Sequence, residues 1–376
     1  MLPIEWEVLL LACLSSVACG LTGAIALLRK QALMGDALGH SLLAGIGAGY
    51  WIFGSSQSPW LFPCAVGTGL LAVALVELVS RWVGGNQSTA LGLIFPAFFS
   101  IGVVLISLAP KSTHIDLDRV LTGNLDLAPL VRFECLGLDM GPLAAWTLSA
   151  ALTLTVAFIL MFRRLIVWQL FDPPGAQAAG FTSWPLTWAW LVLSAVTITL
   201  AFETMGTVMV VSLLVAPGAG AWLLTRTFPA FLTVTACLAL LAGLLGRGFT
   251  LWMDASTTAA TATTAILIFL TAYLLAPREG VIAKWRHSRS ARRRLDRRLV
   301  LVHLWHHGLV GDEDIECKEP LMAQHLAITP GRIRFALASL ENSGLAVFVD
   351  GIWKTSENGS ALAKSIVQGE IEDLEN

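Results

Sequence analysis

Charge is what this sequence has least of. Only 13% of its 376 residues are charged, against about 25% in a soluble domain. No GxxxxGK[ST] loop occurs, so the chain is not expected to hydrolyse ATP itself. HExxH and GxSxG are also missing, which excludes a zincin-type protease and a nucleophile elbow. The six cysteines, Cys13, Cys19, Cys64, Cys135, Cys237 and Cys317, include no CxxC pair. They support neither a zinc knuckle nor a disulfide framework. The first apolar run lacks the basic leader of a cleavable signal. Glu5 and Glu7 precede it and Arg29-Lys30 follow it, which reads as a retained span.

Apolar residues make up 56% of the chain, and the mean hydropathy of +0.72 marks a polytopic membrane protein. A span needs roughly 20 apolar residues. The candidates are 6–28, 36–53, 59–80, 90–109, 143–165, 186–202, 204–225, 228–247 and 256–276. That makes nine spans, or eight if 186–225 is one interrupted element. Residues 1–277 hold 10 Lys/Arg and 12 Asp/Glu, whereas 278–376 hold 14 of each in about a third of the length. The shift divides a transmembrane domain (1–277) from a basic juxtamembrane linker (278–298) and a small cytosolic domain (299–376).

Lys and Arg in the loops set the orientation. Arg29-Lys30, Arg81, Arg163-Arg164, Arg226 and the run 278–298 fall on one side of the nine-span arrangement. The long loop 110–142, with three basic and five acidic residues, falls on the other. Arg247 is the exception. The amino terminus is expected outside and the carboxyl end in the cytoplasm. The basic run suits contact with anionic lipid head groups, with a nucleic-acid arm as the alternative.

Residues 299–376 read as α+β. A helix near 299–308 and a polar loop precede helices at about 320–327 and 330–343, the second stopped by Gly344. A hairpin turning at Asp350-Gly351 follows, then a helix at about 358–368. Helix–turn–helix plus hairpin is the winged-helix pattern. The second helix supplies only Arg332 and Arg334, opposed by Glu341, so DNA is an unlikely partner and an assembly or regulatory role is favoured. His303 and His307 stand at i, i+4, either as partly buried helix residues or as a candidate regulatory metal pair.

Asp36 and His40 share a helix face inside an apolar span. Ionisable groups there are costly and point to function. Imidazole plus carboxylate suits divalent first-row metals, and a two-fold partner would complete half a site. The alternative is a helix cap, or pairing with Arg29 or Lys30. Glu77, Glu203 and Asp254 read as snorkelling or capping residues.

The stretch "LLRKQALMGDALGHSLLAGIGAGY" resembles the permeases of zinc, manganese and iron ABC importers. Gly35, Asp36, Ala37 and His40 match that family's Gly-Asp-Ala-x-x-His motif. "STALGLIFPAFFSIGVVLIS" (88–107), "LTGNL" (121–125), "LFDPPGAQAAGF" (170–181), "MGTVMVVSLLVAPGAGAWLL" (205–224) and "LLAPREG" (274–280) resemble its later signatures, in order. Gly39 stands where the family commonly has Ser, and Pro174-Gly175 where it usually has Glu-Phe. Residues 320–368 resemble the winged-helix part of iron- and manganese-responsive repressors. The resemblance implies an all-α permease of eight or nine spans, dimeric with a second or paralogous copy. It implies a separate cytoplasmic ABC ATPase, an extracytoplasmic metal-binding protein, and a cargo of zinc, manganese or ferrous iron with no permanently bound cofactor. Asp36 and His40 would line the ion path. Asp172, Pro173, Ala176, Ala179 and Gly180 would form the coupling helix, capped by Asp172, with Ala176, Ala178 and Ala179 facing the ATPase. A metal-chelate permease and a membrane-tethered metal-responsive regulator are the alternatives.

Overall fold

The computed structural model describes residues 3–31, 34–54, 58, 60–84, 87–108, 125–135, 138–181, 183–311 and 316–368. Residues 121–124 of the LTGNL signature and the polar loop at 312–315 lie outside them. The chain divides into two compact units, Met1–Pro277 and Arg278–Asn376.

The first unit holds α1 (Ile4–Leu28), α2 (Met34–Phe53), α3 (Leu61–Trp82) and α4 (Gln87–Ser107). A hairpin of β1 (Arg132–Cys135) and β2 (Leu138–Pro142) leads into α5 (Leu143–Phe171). Short α6 (Pro173–Ala178), long α7 (Ser183–Leu224), α8 (Phe228–Met253) and α9 (Thr257–Leu275) complete it. Among the described residues, seven helices are long and apolar enough to cross a membrane, and Ala37–Phe53 of α2 adds a shorter apolar stretch.

The seven include α7 once, yet α7 is two arms. Its 42 residues break at Gly206, where φ is 72° and ψ 176°, a region essentially reserved for glycine. In a straight helix Ile198 and Leu214 would stand about 24 Å apart at 1.5 Å per residue. Here both side chains reach Gly35, so the arms fold back on one another. Counting the arms separately and adding α2 gives the nine segments expected. The helices run on beyond the apolar stretches: α5 carries exposed Arg163 and Arg164 and ends only at Phe171, because long basic side chains can snorkel from a helix.

α1 is the central helix. Its most apolar stretch is 72% buried, against 22% for α4. Side chains such as Leu160, Met161, Leu251 and Ile266 point outward from the unit, as a lipid-facing shell requires. The β1–β2 hairpin was not expected from the sequence, and it sits in the region read as loop 110–142.

The second unit contains α10 (Val281–Val310), α11 (Glu319–His325), α12 (Pro330–Asn342), β3 (Ala346–Val349), β4 (Ile352–Thr355) and α13 (Glu357–Val367). The basic stretch 278–298 is not a separate linker. From Val281 it forms the first half of α10, since it is rich in Arg, a good helix former, and has no Pro and no Gly after Gly280. The order helix, helix, hairpin, helix over 320–368 is the one expected. Asp350 and Gly351 both have positive φ, which suits the two-residue turn joining Val349 to Ile352. Leu301 and Leu304 pack with Met322, Ile333, Leu337 and Leu340 in a core of its own.

Candidate functional site

The motif on α2 works through two adjacent faces. Gly35 and Gly39 are one turn apart and both abut α7. A side chain at Gly35 would meet Leu214, and one at Gly39 would enter the Phe202 ring. Asp36 and His40 follow them by one residue, so they lie about 100° round the helix. The His40 ring is partly exposed and meets two rings of α4. Phe95 lies 4.7 Å away and Phe99 5.2 Å away, both edge-on. That contact fixes the imidazole's direction while leaving part of it accessible. The Asp36 side chain lies outside the described residues. Gly39 replaces the family's usual Ser where Phe202 needs the space.

α3 and α4 hold α2 from its other sides. The Thr68 hydroxyl on α3 donates across the interface to the Ser41 carbonyl at 3.3 Å, alongside bonds to its own helix. A cavity of about 500 Å³ opens beside the α1–α2 turn, lined by Arg29, Lys30, Glu77, Gln169 and Pro173 among others. Pro173 belongs to α6. The start of α2 and the short helix therefore share one end of the unit.

α6 is defined by its caps. The Asp172 carboxylate accepts from the Gly175 amide at 3.0 Å, and Pro173 opens the first turn. At the other end Phe181 N donates to Ala176 O and Gly180 N to Gln177 O. With Gly180 at φ 82° this is a Schellman closure. Pro174-Gly175, the departure from the usual Glu-Phe, leaves this helix intact. One assignment needs correction. Ala176 is 2% exposed and packs inward, so it cannot present a face to a partner. Ala178, Ala179 and Asp172 are exposed.

The opposite end of the unit is closed by ion pairs that the sequence did not announce. Arg132 meets Glu7 at 2.9 Å and Asp139 at 3.7 Å. Arg247 meets Asp126 at 3.3 Å, and Thr257 donates to the same carboxylate from its amide and its hydroxyl. Arg247 is thus neutralised by a residue more than a hundred positions away. Asp254 ends α8 with a left-handed φ of 52°, the capping role expected.

In the second unit the His303 and His307 rings lie 4.4 Å apart. His303 is buried, and burial pushes its imidazole below the ordinary histidine range, which keeps it neutral. The donors that converge, however, are those of His303, Glu316 and His325; His307 is not among them. Both arginines of α12 are engaged. Arg332 grips Asp296 through two bonds of 2.8 and 2.6 Å, and Arg334 meets Glu319 at 2.9 Å.

A family model described as "ABC 3 transport family" matches residues 2–276, nearly the whole of the first unit. The chain belongs to the ABC 3 transport family. Relatives within it include the zinc transport system membrane protein TroD of Treponema pallidum, 31% identical over 367 residues, 96% of this chain and 98% of that one. The manganese transport system membrane protein MntD of Bacillus subtilis is 32% identical over 271 residues, 72% of this chain and 92% of that one. Among solved structures, PsaBC of Streptococcus pneumoniae in complex with Fab matches with a TM-score of 0.60 at 23% identity. It covers 74% of this chain and 94% of that one, and it shares the fold. The TroD match is longer than the first unit, so that likeness runs into the second.

Proposed function

We propose that this chain is the membrane permease subunit of an ATP-driven importer for divalent metal ions, of the zinc, manganese and ferrous iron class. One observation carries the reading. On α2 of an ABC 3 family chain, glycines pack one face against α7 and turn His40 and the Asp36 position onto the next. The relatives' names, zinc and manganese transport system membrane proteins, support the cargo class. The ion is cargo rather than a resident cofactor. Imidazole and carboxylate bind such ions without a closed shell, so release stays easy. A second copy of the chain, or a paralogous permease, supplies the other half of the site about a two-fold axis.

The protein is a multi-pass component of a prokaryotic cell membrane, in contact with its lipids. The amino terminus lies outside and the second unit in the cytoplasm. Arg247, the exception in the loop-charge count, already has its counter-ion in Asp126. α6 is the coupling helix, and it docks on a separate cytoplasmic ABC ATPase. Asp172, Pro173 and Gly180 fix its shape, Ala176 anchors it, and Ala178 and Ala179 meet the partner. An extracytoplasmic metal-binding protein delivers the ion to the face bearing Arg132 and Arg247. The two arginines of α12 already bind carboxylates, which argues against DNA as a partner.

Metal uptake in cells expressing the chain with its ATPase tests the path. Asp36→Ala and His40→Ala should each lower uptake about tenfold or more, since even outer partners of a metal ligand cost 10–100-fold when lost. Uptake equal to the parent in both variants would sink the assignment.

A further inference from the structure

We propose that the second unit carries its own binding site for a divalent transition-metal ion, held by His303, Glu316 and His325. The three residues come from three places. His303 is on α10, Glu316 lies in the segment entering α11, and His325 ends α11. One donor atom from each falls within 4.8 Å of the other two.

An ordinary ion pair accounts for less than this. His325 Nδ1 stands 2.7 Å from Glu316 Oε2, yet that buried oxygen has no hydrogen-bond partner of acceptable angle. The two atoms form a close ion pair of poor hydrogen-bond geometry. A pair would also leave no reason for a third donor, and His303 is turned to the same place. Its Nε2 lies 3.3 Å from the Glu316 backbone carbonyl, which fixes the ring against the segment.

Two imidazoles and one carboxylate form a borderline donor set. It suits zinc, or iron and manganese in the +2 state, better than magnesium or calcium, which favour all-oxygen shells. Three protein donors leave a coordination position for water. The gradient of exposure fits entry from solvent: His303 is buried, the Glu316 side chain is 20% exposed and that of His325 46%. An ion seated there ties α11 and the segment before it to α10. Binding to the folded form alone stabilises the unit by mass action. The site stands on this geometry and does not depend on the transport reading.

The test uses the full chain in detergent, stripped of metal, in a His40→Ala background so that the α2 site contributes nothing. Cobalt(II) is the probe. The background chain should take up one equivalent whose d–d bands zinc abolishes, with two imidazoles in its X-ray absorption shell. Glu316→Gln and His325→Ala should each remove that equivalent. Zinc should raise the melting temperature of the second unit in the background chain and not in these variants. A background chain with no two-imidazole cobalt overturns the proposal whatever the variants do. So do variants that bind the same equivalent with the same spectrum.

Discussion

The two units bond their polar side chains in opposite directions. In the membrane unit hydroxyls bond back to their own helix. Ser15, Thr22, Thr197, Thr199, Thr235, Thr250 and Thr264 each donate to a carbonyl three or four residues earlier. In the second unit the polar contacts cross between elements: Arg332 to Asp296, Arg334 to Glu319, His325 to Glu316. The reason is the solvent. Lipid cannot satisfy a loose hydroxyl, so the bond is best made locally. Helices are then joined by shape, where small residues allow close approach. In the second unit charged groups sit at the rim and pair across the fold. The membrane unit does use ion pairs, but at the end holding Glu7, Arg132, Arg247 and Asp126.

The sharpest way to break this contrast is to fill a contact made by shape. Gly39→Leu would drive a side chain into the Phe202 ring. Overpacking usually costs about 1–3 kcal/mol, and here the obstacle is an aromatic ring buried against α2. The full chain in detergent should melt well below the parent or fail to accumulate. Adding Phe202→Ala should recover part of the loss. A Gly39→Leu chain with the parent's melting temperature would refute packing by shape at this face.

A smaller effect is expected where the second unit depends on charge. Asp296 is buried and Arg332 grips it through its Nε and one terminal nitrogen, Nη2. Asp296→Ala should lower amide-exchange protection in α10 and α12 and leave α1 through α9 untouched. Asp296→Leu with Arg332→Met should restore much of it, because an apolar pair of similar size replaces a half-buried ion pair without leaving the Asp296 position or the arginine unpaired. If the double change is no better than the single one, something beyond the pair is being lost.

The same contrast explains what could be read in advance. Spans, the break near residue 203, the cap on α6 and the hairpin at Asp350-Gly351 depend on neighbours within a few residues, and spacing reveals them. The one-turn spacing of Asp36 and His40 on a single helix is readable in the same way. The inward turn of Ala176 was not, because packing against the unit, not the local sequence, decides which face of α6 is buried. Nor was the His303, Glu316, His325 cluster. Its members are separated by 13 and 9 positions with no shared period, whereas the pair that spacing did suggest, His303 and His307, meets ring against ring at a tilt. Arg247 looked like an orientation anomaly until Asp126 stood beside it. Such contacts exist only once the chain has folded.

The smallest effects should come from the local hydroxyls, and their sign is informative. Thr235 and Thr155 are both fully buried. Thr235 donates to Phe231 O at 2.7 Å, while the Thr155 hydroxyl has no hydrogen-bond partner among the described residues. Valine replaces either with little change of shape. Thr235→Val removes a bond whose acceptor keeps its helical amide, so the loss should stay below about 1 kcal/mol. Thr155→Val removes a hydroxyl that burial disfavours, so it should be neutral or slightly stabilising, again within about 1 kcal/mol. Melting of the two variants beside the parent checks both. If Thr155→Val proves the more damaging of the two, its hydroxyl makes a bond inside the folded unit, and burial does not set the sign of its contribution.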